Sequence, residues 1–328
     1  MEQKIGFCTG TDGARIAYAT VGEGPGLVII PGWISNIQKS WELPEVRRFY
    51  ESLALYHTLV HYDQRGNGLS DRNRTDFTLE SDCQDLETVI DHLKLERLAL
   101  LGLSLGGPVG IMYTAKHPER VSHLILYDTL ARGEAIATDE VKKAFVSLVS
   151  AHWGIGSKTL ADLFFPGASP TIVENFSKYQ RAGATPEMAV QLLGSLFKTD
   201  VASICSNIQA PTLVLHRQHD HVVPFRLGRE LASLIPNASF VPLEGDIHLP
   251  HFGDSMSVLR NIAGFLGDPV PNESSDDTSK AEPVNDPPGA KTEQKKVAWL
   301  RLDHPLVYII ATILASVIAG IILTLFKC

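Results

Sequence analysis

The stretch LALLGLSLGGPVG, residues 98–110, constrains the fold more than any other part of this sequence. LALLG predicts a buried strand, and SLGGPVGIMYTAKHP predicts a helix that ends before Pro118. Ser104 lies between the two segments, in the pattern Gly102-Leu103-Ser104-Leu105-Gly106. We expect a strand–turn–helix bend so sharp that side chains at 102 and 106 would clash, with the serine hydroxyl raised above the strand ends. The alternative interpretation is a glycine-rich turn that only packs tightly.

Strand-like and helix-like segments alternate through most of the chain. Five more runs predict strands, and their sequences are RIAYATVG, GLVIIPG, HTLVHYD, VSHLILYD and PTLVLH. TLESDCQDLETVIDHL has apolar residues on one helical face, and Thr78 is its candidate N-cap. Continuous apolar strands separated by helices predict an α/β fold: a mostly parallel sheet with helices on both faces. Residues 1–130 and 204–266 form the two parts of this predicted core.

Residues 131–203 interrupt the alternation with helical patterns such as TDEVKKAFVSLVSAHWG and PEMAVQLLGSLFK. A helical insertion after a strand, at the edge of the sheet where ligands bind, predicts a lid. Its aromatic residues are candidates to line a substrate pocket, although most such residues simply belong to a core. The candidates are Phe145, Trp153, Phe164, Phe165 and Phe176.

Beyond the predicted core, the composition changes twice. Residues 267–304 begin with a stretch rich in Pro, Ser, Asp, Glu and Lys, which predicts a disordered linker and a juxtamembrane segment. Residues 305–326 contain no charged residue and would span about 30 Å as a helix, the thickness of a bilayer core. We therefore expect a single-pass, C-terminal membrane anchor, the alternative being a buried core helix.

Lysine and arginine residues precede this predicted span, which places the globular part on the cytoplasmic side. Ala311, Ala315 and Ala319 form a stripe of small residues that would let two such helices approach, giving a homodimer. The alternative is that small residues are simply common in membrane helices.

The remaining composition excludes several classes of protein. The net charge is −8, so we expect no nucleic-acid partner. The N-terminus lacks the apolar segment of a signal peptide. The four cysteines are scattered with no metal-ligand spacing, so we expect free thiols and no metal site.

Two later loops contain candidate partners for Ser104. Asp220 follows the strand PTLVLH, and His248 follows the strand-like run ASFVPLEG. Both therefore lie past the carboxyl ends of strands, where open α/β sheets place their sites. The order Ser, Asp, His is that of a nucleophile, an orienting acid and a base. His251 is the rival base, and Asp128 at the end of VSHLILYD is the rival acid.

An oxyanion hole requires two backbone donors. We expect one from the N–H of Leu105, directly after the nucleophile. The second would be the N–H of Trp33, in the loop after GLVIIPG, where Gly32 permits a tight backbone. The Trp33 ring is also a candidate pocket wall, or it serves only in packing.

Taken together, residues 5–266 resemble the α/β-hydrolase family. The resemblance is carried by PGW at 31–33, DQRGNGLSD at 63–71, GLSLGG at 102–107, HDHVVP at 219–224 and GDIHLPHF at 245–252. ATVGEGPGLVIIPGWISN is similar to α/β-hydrolases fused to adenylate-cyclase or transcription-regulator domains. Membership implies Ser104, Asp220 and His248 as the triad, with no cofactor. The sequence departs from the common His-Gly of the oxyanion loop, having Pro31-Gly32 there.

A serine at the nucleophile position disfavours dehalogenase and epoxide-hydrolase chemistry, which use an aspartate there. We therefore expect a membrane-anchored serine hydrolase that cleaves a carboxylic ester or thioester of a hydrophobic or amphiphilic substrate through an acyl-enzyme. Peptidase, lactonase, carbon–carbon hydrolase and cofactor-free peroxidase activities remain alternatives. A small-molecule receptor on the same fold is an alternative of a different class.

Overall fold

The structure, a computed structural model, describes residues 1–270. Its strands are β1 (Lys4–Thr9), β2 (Arg15–Val21), β3 (Gly26–Ile30), β4 (Thr58–Tyr62), β5 (Leu98–Leu103), β6 (Val121–Tyr127), β7 (Thr212–Arg217) and β8 (Ser239–Leu243). Its helices are α1 (Ile37–Glu42), α2 (Pro44–Leu53), α3 (Leu79–His92), α4 (Gly106–Lys116), α5 (Asp139–Ala151), α6 (Trp153–Phe164), α7 (Pro170–Gly183), α8 (Pro186–Lys198), α9 (Phe225–Leu234) and α10 (Ser255–Leu266).

The strands form one 8-stranded sheet in the order β1-β2-β4-β3-β5-β6-β7-β8. From β4 to β8 every neighbouring pair is parallel, whereas β1 and β2 are antiparallel to each other and β2 is antiparallel to β4. The predicted mostly parallel sheet is confirmed. The edge strand β1 was missed because its residues are mostly exposed and make no continuous apolar run.

Helices cover both faces of the sheet. Along β3, Val28 and Ile30 pack with α3 and α4, while Leu27 and Ile29 pack with α2 and α10. This alternation follows from the two-residue period of a strand, so a strand buried on both faces must be apolar throughout. The predicted helix after Thr78 is also confirmed: the Thr78 hydroxyl accepts a hydrogen bond of 3.3 Å from the Ser81 amide and caps α3.

Helices α5 to α8 lie between β6 and β7 in the chain, inside the range predicted for the lid. Proline at the first position of α7 and of α8, preceded by the caps Ser169 and Thr185, sets where two of these helices begin. The four helices share an apolar core that also packs on Trp33 and Ile34 of the loop after β3. The lid therefore rests directly on the sheet edge that carries Ser104.

A search of residues 1–270 finds no helix with the length and hydrophobicity needed to cross a membrane. The predicted span at 305–326, and the predicted linker from residue 271 onward, lie outside the described residues. Membrane anchoring therefore stays a prediction.

Candidate active site

Ser104 occupies a strained turn between β5 and α4. Its φ is +48°, in the left-handed region that a residue with a side chain rarely adopts. The turn is fixed by three hydrogen bonds: the Ser104 amide donates to Tyr127 O (2.9 Å), and Ser104 O accepts from the Gly107 amide (3.0 Å) and the Thr129 hydroxyl (2.5 Å). The Ser104 hydroxyl is buried and has no hydrogen-bond partner. A serine held this way is free to engage a base or a substrate.

The glycines around Ser104 are required by close backbone contacts. A Cβ at Gly102 would lie 2.8 Å from Gly107 Cα, and a Cβ at Gly106 would collide with the carbonyl oxygen of Ile30. Gly107, which the sequence pattern did not single out, faces the Thr129 side chain just as closely. These contacts place the start of α4 directly against the end of β3, as the elbow pattern requires.

Gly32 brings the loop after β3 against the nucleophile. A Cβ at Gly32 would lie 2.8 Å from Ser104 Cβ and 2.6 Å from Leu103 O. Trp33 follows this glycine, and Leu105 follows Ser104 at the start of α4. Both predicted oxyanion donors therefore lie in segments next to the serine. Their role in binding an oxyanion stays a prediction.

His248 is held by Asp220. The distance between His248 Nδ1 and Asp220 Oδ2 is 2.7 Å, and both side chains are buried. The other oxygen of Asp220 accepts hydrogen bonds from the amides of Val222 (2.7 Å) and Val223 (3.2 Å). With Nδ1 donating to Asp220, neutral His248 has Nε2 as its acceptor nitrogen, and this atom has no partner among residues 1–270. The imidazole is thus oriented as a general base would be.

Asp128, the rival acid, lies in the same cluster but less favourably. Its Oδ2 is 3.9 Å from His248 Nδ1 and has no hydrogen-bond partner, while its Oδ1 accepts from the Arg217 amide at 2.8 Å. Burial and the negative charge of Asp220 raise the pKa of Asp128 well above 3.8. Asp220 is therefore the carboxylate that is hydrogen-bonded to His248. Asp128 lies close enough to both residues to influence them.

His251, the rival base, has no carboxylate beside it. Its ring packs edge-on against Phe49 and Tyr50 of α2, with centroid distances of 5.0 and 5.3 Å. Burial lowers the pKa of His251 to about 3. Of the two histidines in this loop, His248 is the one arranged for proton transfer.

Ser104 and His248 line the same cavity, which has a volume of about 110 Å³ and which we call the active-site cavity. Its wall also includes Trp33, Phe164 and Phe176. The Phe164 ring lies edge-on to the His248 ring, with 4.9 Å between centroids, and the His248 amide donates to Phe164 O at 3.2 Å. Phe164 of the lid thus lies directly against His248.

Three of the candidate pocket residues require correction. Phe145, Trp153 and Phe165 do not line the active-site cavity in the described part of the chain. Phe145 is buried in the lid's own core, and Trp153 packs against that core while its indole N–H donates to Ala184 O at 3.2 Å. Their aromatic side chains hold the lid helices to one another, a function that sequence cannot distinguish from lining a pocket.

Several known proteins are similar to this chain in sequence or in structure. A family model described as alpha/beta hydrolase fold matches residues 25–154. A non-heme chloroperoxidase from Kitasatospora aureofaciens is 28% identical over 278 residues, which cover 79% of this chain and 98% of that protein. Among solved structures, a Bacillus anthracis bromoperoxidase (22% identity, TM-score 0.73) covers 81% of this chain and 100% of its own. An Exiguobacterium antarcticum esterase (23% identity, TM-score 0.71) covers 80% of this chain and 99% of its own.

The chain has the α/β-hydrolase fold. In this hydrolase the sheet order, the elbow and the three loops that carry Ser104, Asp220 and His248 form one connected site.

One part of the hydrolase site was missed by sequence reasoning. Arg217, at the end of β7, is a fully buried cation. Its guanidinium donates to the carbonyl oxygens of Glu244 (2.8 Å), Phe252 (3.1 Å) and Asp254 (3.3 Å), and its Nε donates to the Tyr127 hydroxyl (2.8 Å). These bonds fix both ends of the loop that contains His248. No sequence pattern predicts this function for an arginine at the end of an apolar strand.

The cluster behind His248 also has metal-ligand residue types. Ligand atoms of Asp128, His216 and Asp220 lie within 4.8 Å of one another. However, His216 Nε2 lies 2.9 Å from Val223 O, and Asp220 Oδ2 pairs with His248. Ligand atoms of His216 and Asp220 are therefore already engaged in hydrogen bonds within the protein.

Proposed function

We propose that this hydrolase cleaves carboxylic esters or thioesters through an acyl-enzyme on Ser104. One observation carries the proposal. The Ser104 hydroxyl and His248 Nε2 are both buried and unpartnered in the wall of one cavity, and Asp220 holds the other nitrogen of the same imidazole at 2.7 Å. A buried hydroxyl and a buried ring nitrogen without partners are uncommon, and in the proposed reaction the Ser104 hydroxyl is the donor from which His248 Nε2 takes a proton.

The mechanism follows from these positions. His248 Nε2 accepts the proton of the Ser104 hydroxyl as its oxygen attacks the ester carbonyl. The backbone N–H groups of Leu105 and Trp33 would stabilise the resulting oxyanion, assisted by the N-terminal end of α4. His248 then donates the proton to the leaving alcohol or thiol. Water, activated by the same nitrogen, releases the acid and regenerates Ser104.

The cavity favours a small, largely apolar acyl group. Aliphatic and aromatic side chains from the sheet, the lid and α2 make up most of its wall. An engineered cavity of about 150 Å³ accommodates benzene, so a volume of about 110 Å³ suits an acyl chain of a few carbons. The leaving group would extend toward the lid, so a larger amphiphilic alcohol remains compatible with this site.

A second acceptor for the acyl group is supported by the relatives. Besides the chloroperoxidase, a protein of Acinetobacter calcoaceticus named as a bifunctional esterase/perhydrolase is 22% identical over 280 residues. Attack of hydrogen peroxide instead of water on the Ser104 ester would release a peracid and the free serine. This reaction requires no additional group in the site.

The first test is covalent labelling of the full chain with a fluorophosphonate probe, with the labelled peptide identified by mass spectrometry. We expect phosphonylation of Ser104 in the wild type, no labelling in Ser104→Ala, and slow labelling in His248→Gln. His123→Gln is the matched control, because that histidine packs against Phe265 outside the cavity. Labelling should be followed by turnover of short-chain p-nitrophenyl esters. A folded wild type with no labelled serine would contradict the proposal and favour a ligand-binding receptor.

We also propose, from the sequence alone, that residues 305–326 attach the hydrolase to a membrane with the catalytic part on the cytoplasmic side. This arrangement would present the site to amphiphilic substrates.

A further inference from the structure

The active-site cavity has a second polar region that the proposed mechanism does not use. It is formed by Tyr50 of α2, His61 of β4 and His251 of the loop after β8, all of which are buried and line the cavity. The Tyr50 ring contacts both histidine rings, at centroid distances of 4.8 Å to His61 and 5.3 Å to His251. We call these three residues the distal cluster.

The distal cluster lies to one side of the nucleophile. β4 and β5 are both neighbours of β3, and His61 and Leu101 are both paired with Ile29 in the register. Neighbouring strands are about 4.8 Å apart, so β4 lies roughly 10 Å from β5, the strand that leads into Ser104. Ile29 and Leu103 line the cavity between the two positions. A chain attached to Ser104 could therefore run along the sheet toward the cluster.

One ring nitrogen of His61 already has a hydrogen-bond partner within the protein. The amide nitrogen of Gln3 lies 3.0 Å from His61 Nε2 and also donates to Ile37 O at 3.2 Å. Because an amide NH₂ group only donates, His61 Nε2 is an acceptor and its ring is neutral. Burial also lowers the pKa of His61 to about 3.

His251 differs from His61, because neither of its ring nitrogens has a hydrogen-bond partner among residues 1–270. The side chain is 8% exposed and lines the active-site cavity. Its ring packs in T-shaped contacts against Phe49 and Tyr50. These contacts fix the ring but provide no hydrogen bond to either nitrogen. A buried imidazole without partners is strongly disfavoured unless something bound supplies them.

The charge around His251 limits what that bound group can be. Among the described residues that line the cavity there is no lysine or arginine. A carboxylate buried here would lack a positive partner and would also lie near the buried Asp63, whose oxygens accept from Ile37 N and Leu69 N. A neutral imidazole offers one donor and one acceptor, which suits a hydroxyl or a carbonyl oxygen.

We propose that His251 is a specificity residue that hydrogen-bonds a neutral oxygen, a hydroxyl or ketone, carried on the acyl chain of the ester that Ser104 cleaves. This inference rests on the proposed function, because it takes Ser104 as the site of acylation. The preferred substrates are then short hydroxyacyl or oxoacyl esters, and plain alkanoyl esters of the same length react more slowly.

The test compares paired p-nitrophenyl esters of the same chain length, pentanoate against 4-oxopentanoate and heptanoate against 6-oxoheptanoate, so that the added oxygen is placed at two distances from Ser104. For the wild-type full chain we expect kcat/KM to be about tenfold higher for at least one oxygenated ester than for its alkanoyl partner. His251→Phe retains an aromatic ring for packing and removes both nitrogens. It should lower the ratio of kcat/KM between the favoured ester and its alkanoyl partner by about tenfold, so that the preference for the oxygenated ester is lost.

His123→Phe is the matched control and should change neither ester. Equal losses on both esters in His251→Phe, or no wild-type preference for either oxygenated ester, would overturn the proposal while leaving the serine hydrolase intact. Absence of turnover for all four esters together with an unlabelled Ser104 would instead overturn the proposed function.

A measurement on the wild type alone covers the case in which His251→Phe does not fold. Paired fluorophosphonates with an alkyl chain or an oxoalkyl chain would compete for Ser104. Faster inactivation by the oxoalkyl compound supports the distal cluster as an oxygen-binding site. Equal or slower inactivation means that His251 serves only in packing.

Discussion

At the scale of single residues, the site has two buried carboxylates beside one imidazole. The two carboxylates differ in the hydrogen bonds that they accept. Asp220 accepts two backbone hydrogen bonds in addition to that of His248, and these donors stabilise its negative charge. Asp128 accepts one, from the Arg217 amide, and its second oxygen has no partner. Asp128 therefore retains a proton to higher pH than an ordinary aspartate, and Asp220 carries the charge that orients His248.

This difference predicts opposite results for two conservative substitutions. Asp220→Asn should lower kcat by roughly 10²- to 10⁴-fold, because an amide cannot hold His248 in the required tautomer. Asp128→Asn should keep kcat within about fivefold, because asparagine resembles the protonated acid and can still accept from Arg217. Steady-state kinetics on a short-chain ester, with circular dichroism to verify folding, checks both. A large loss in Asp128→Asn alone would assign the orienting acid to Asp128.

Asp128 also makes the stability of the folded protein depend on pH. The pKa of Asp128 is raised in the folded protein, so between pH 3.8 and the folded pKa the native state binds a proton that the unfolded state releases. Its contribution to stability is therefore present at low pH and declines as pH rises through this range. Asparagine has no such proton. We expect Tm of Asp128→Asn minus Tm of the wild type to increase as pH rises from about 4 to 8, measured by scanning fluorimetry. A constant difference would contradict the raised pKa.

At the scale of secondary-structure elements, the elbow depends on close approach between β3, β5 and the start of α4. The contacts at Gly32, Gly102 and Gly106 are between backbone atoms or involve Ser104 itself, so they cannot be relieved by moving a flexible side chain. This packing keeps Ser104 at its positive φ. Strain in the turn is thus maintained by two strands and a helix, and a single added methyl group would disturb all three.

Alanine substitutions at two glycines test this requirement. Gly106→Ala should lower the free energy of unfolding by about 2 kcal/mol or more and abolish labelling of Ser104, since its Cβ would collide with Ile30 O. Gly264→Ala in α10 is the matched control, because nothing lies within 4 Å of its Cβ position. There the same change should stabilise by about 0.5–1 kcal/mol, since alanine is the better helix former. Urea unfolding measures both. A Gly106→Ala variant with unchanged stability and labelling would show that the elbow tolerates a side chain.

Hydrogen bonds also connect helix α7 of the lid to loops at the edge of the sheet. The Trp33 indole N–H donates to Gln180 Oε1 at 2.9 Å, which ties the predicted oxyanion loop to α7. The Arg72 guanidinium donates to Gly183 O at the end of the same helix. Movement of α7 would therefore alter the loop that carries Trp33. We therefore expect displacement of α7 during substrate entry to change the position of the predicted oxyanion donor at Trp33.

At the scale of the whole molecule, the catalytic core and the predicted membrane segment are separate parts of one chain. The core ends with α10, and the described residues end at 270. The apolar run at 305–326 follows after a polar stretch. Whether the hydrolase acts at a membrane therefore depends on the segment that follows the core, and the core contains the proposed catalytic site.

Fractionation tests the predicted anchor. We expect the full chain to sediment with membranes and to be released by detergent but not by alkaline carbonate, because an apolar helix of this length spans a bilayer. A chain that ends at residue 304 should remain in the supernatant with its ester hydrolysis unchanged. Release of the full chain by carbonate would indicate surface attachment and contradict a membrane-spanning anchor.

Sequence patterns determined much of this protein, because they depend on residues that are near neighbours along the chain. Apolar runs marked most of the sheet, Thr78 marked the start of α3, and two glycines around Ser104 marked the elbow. The loops after β7 and β8 could be named as sources of the acid and the base, since parallel strands end at one edge of the sheet. The short helices α1 and α2 and the exposed strand β1 were missed, because their patterns are too brief or too polar to be recognised.

Only the tertiary structure decided which of the residues in those loops meet. Asp128, Asp220 and His248 come from three loops, and distances of 2.7 and 3.9 Å to the same nitrogen separate the two acids. The same applies to Arg217, whose partners lie in a distant loop, and to Phe145, which packs within the lid. It applies to His251 as well, whose unpartnered nitrogens follow from burial beside α2. Burial and hydrogen-bond partners are set by segments far apart in the chain, so local sequence carries no record of them.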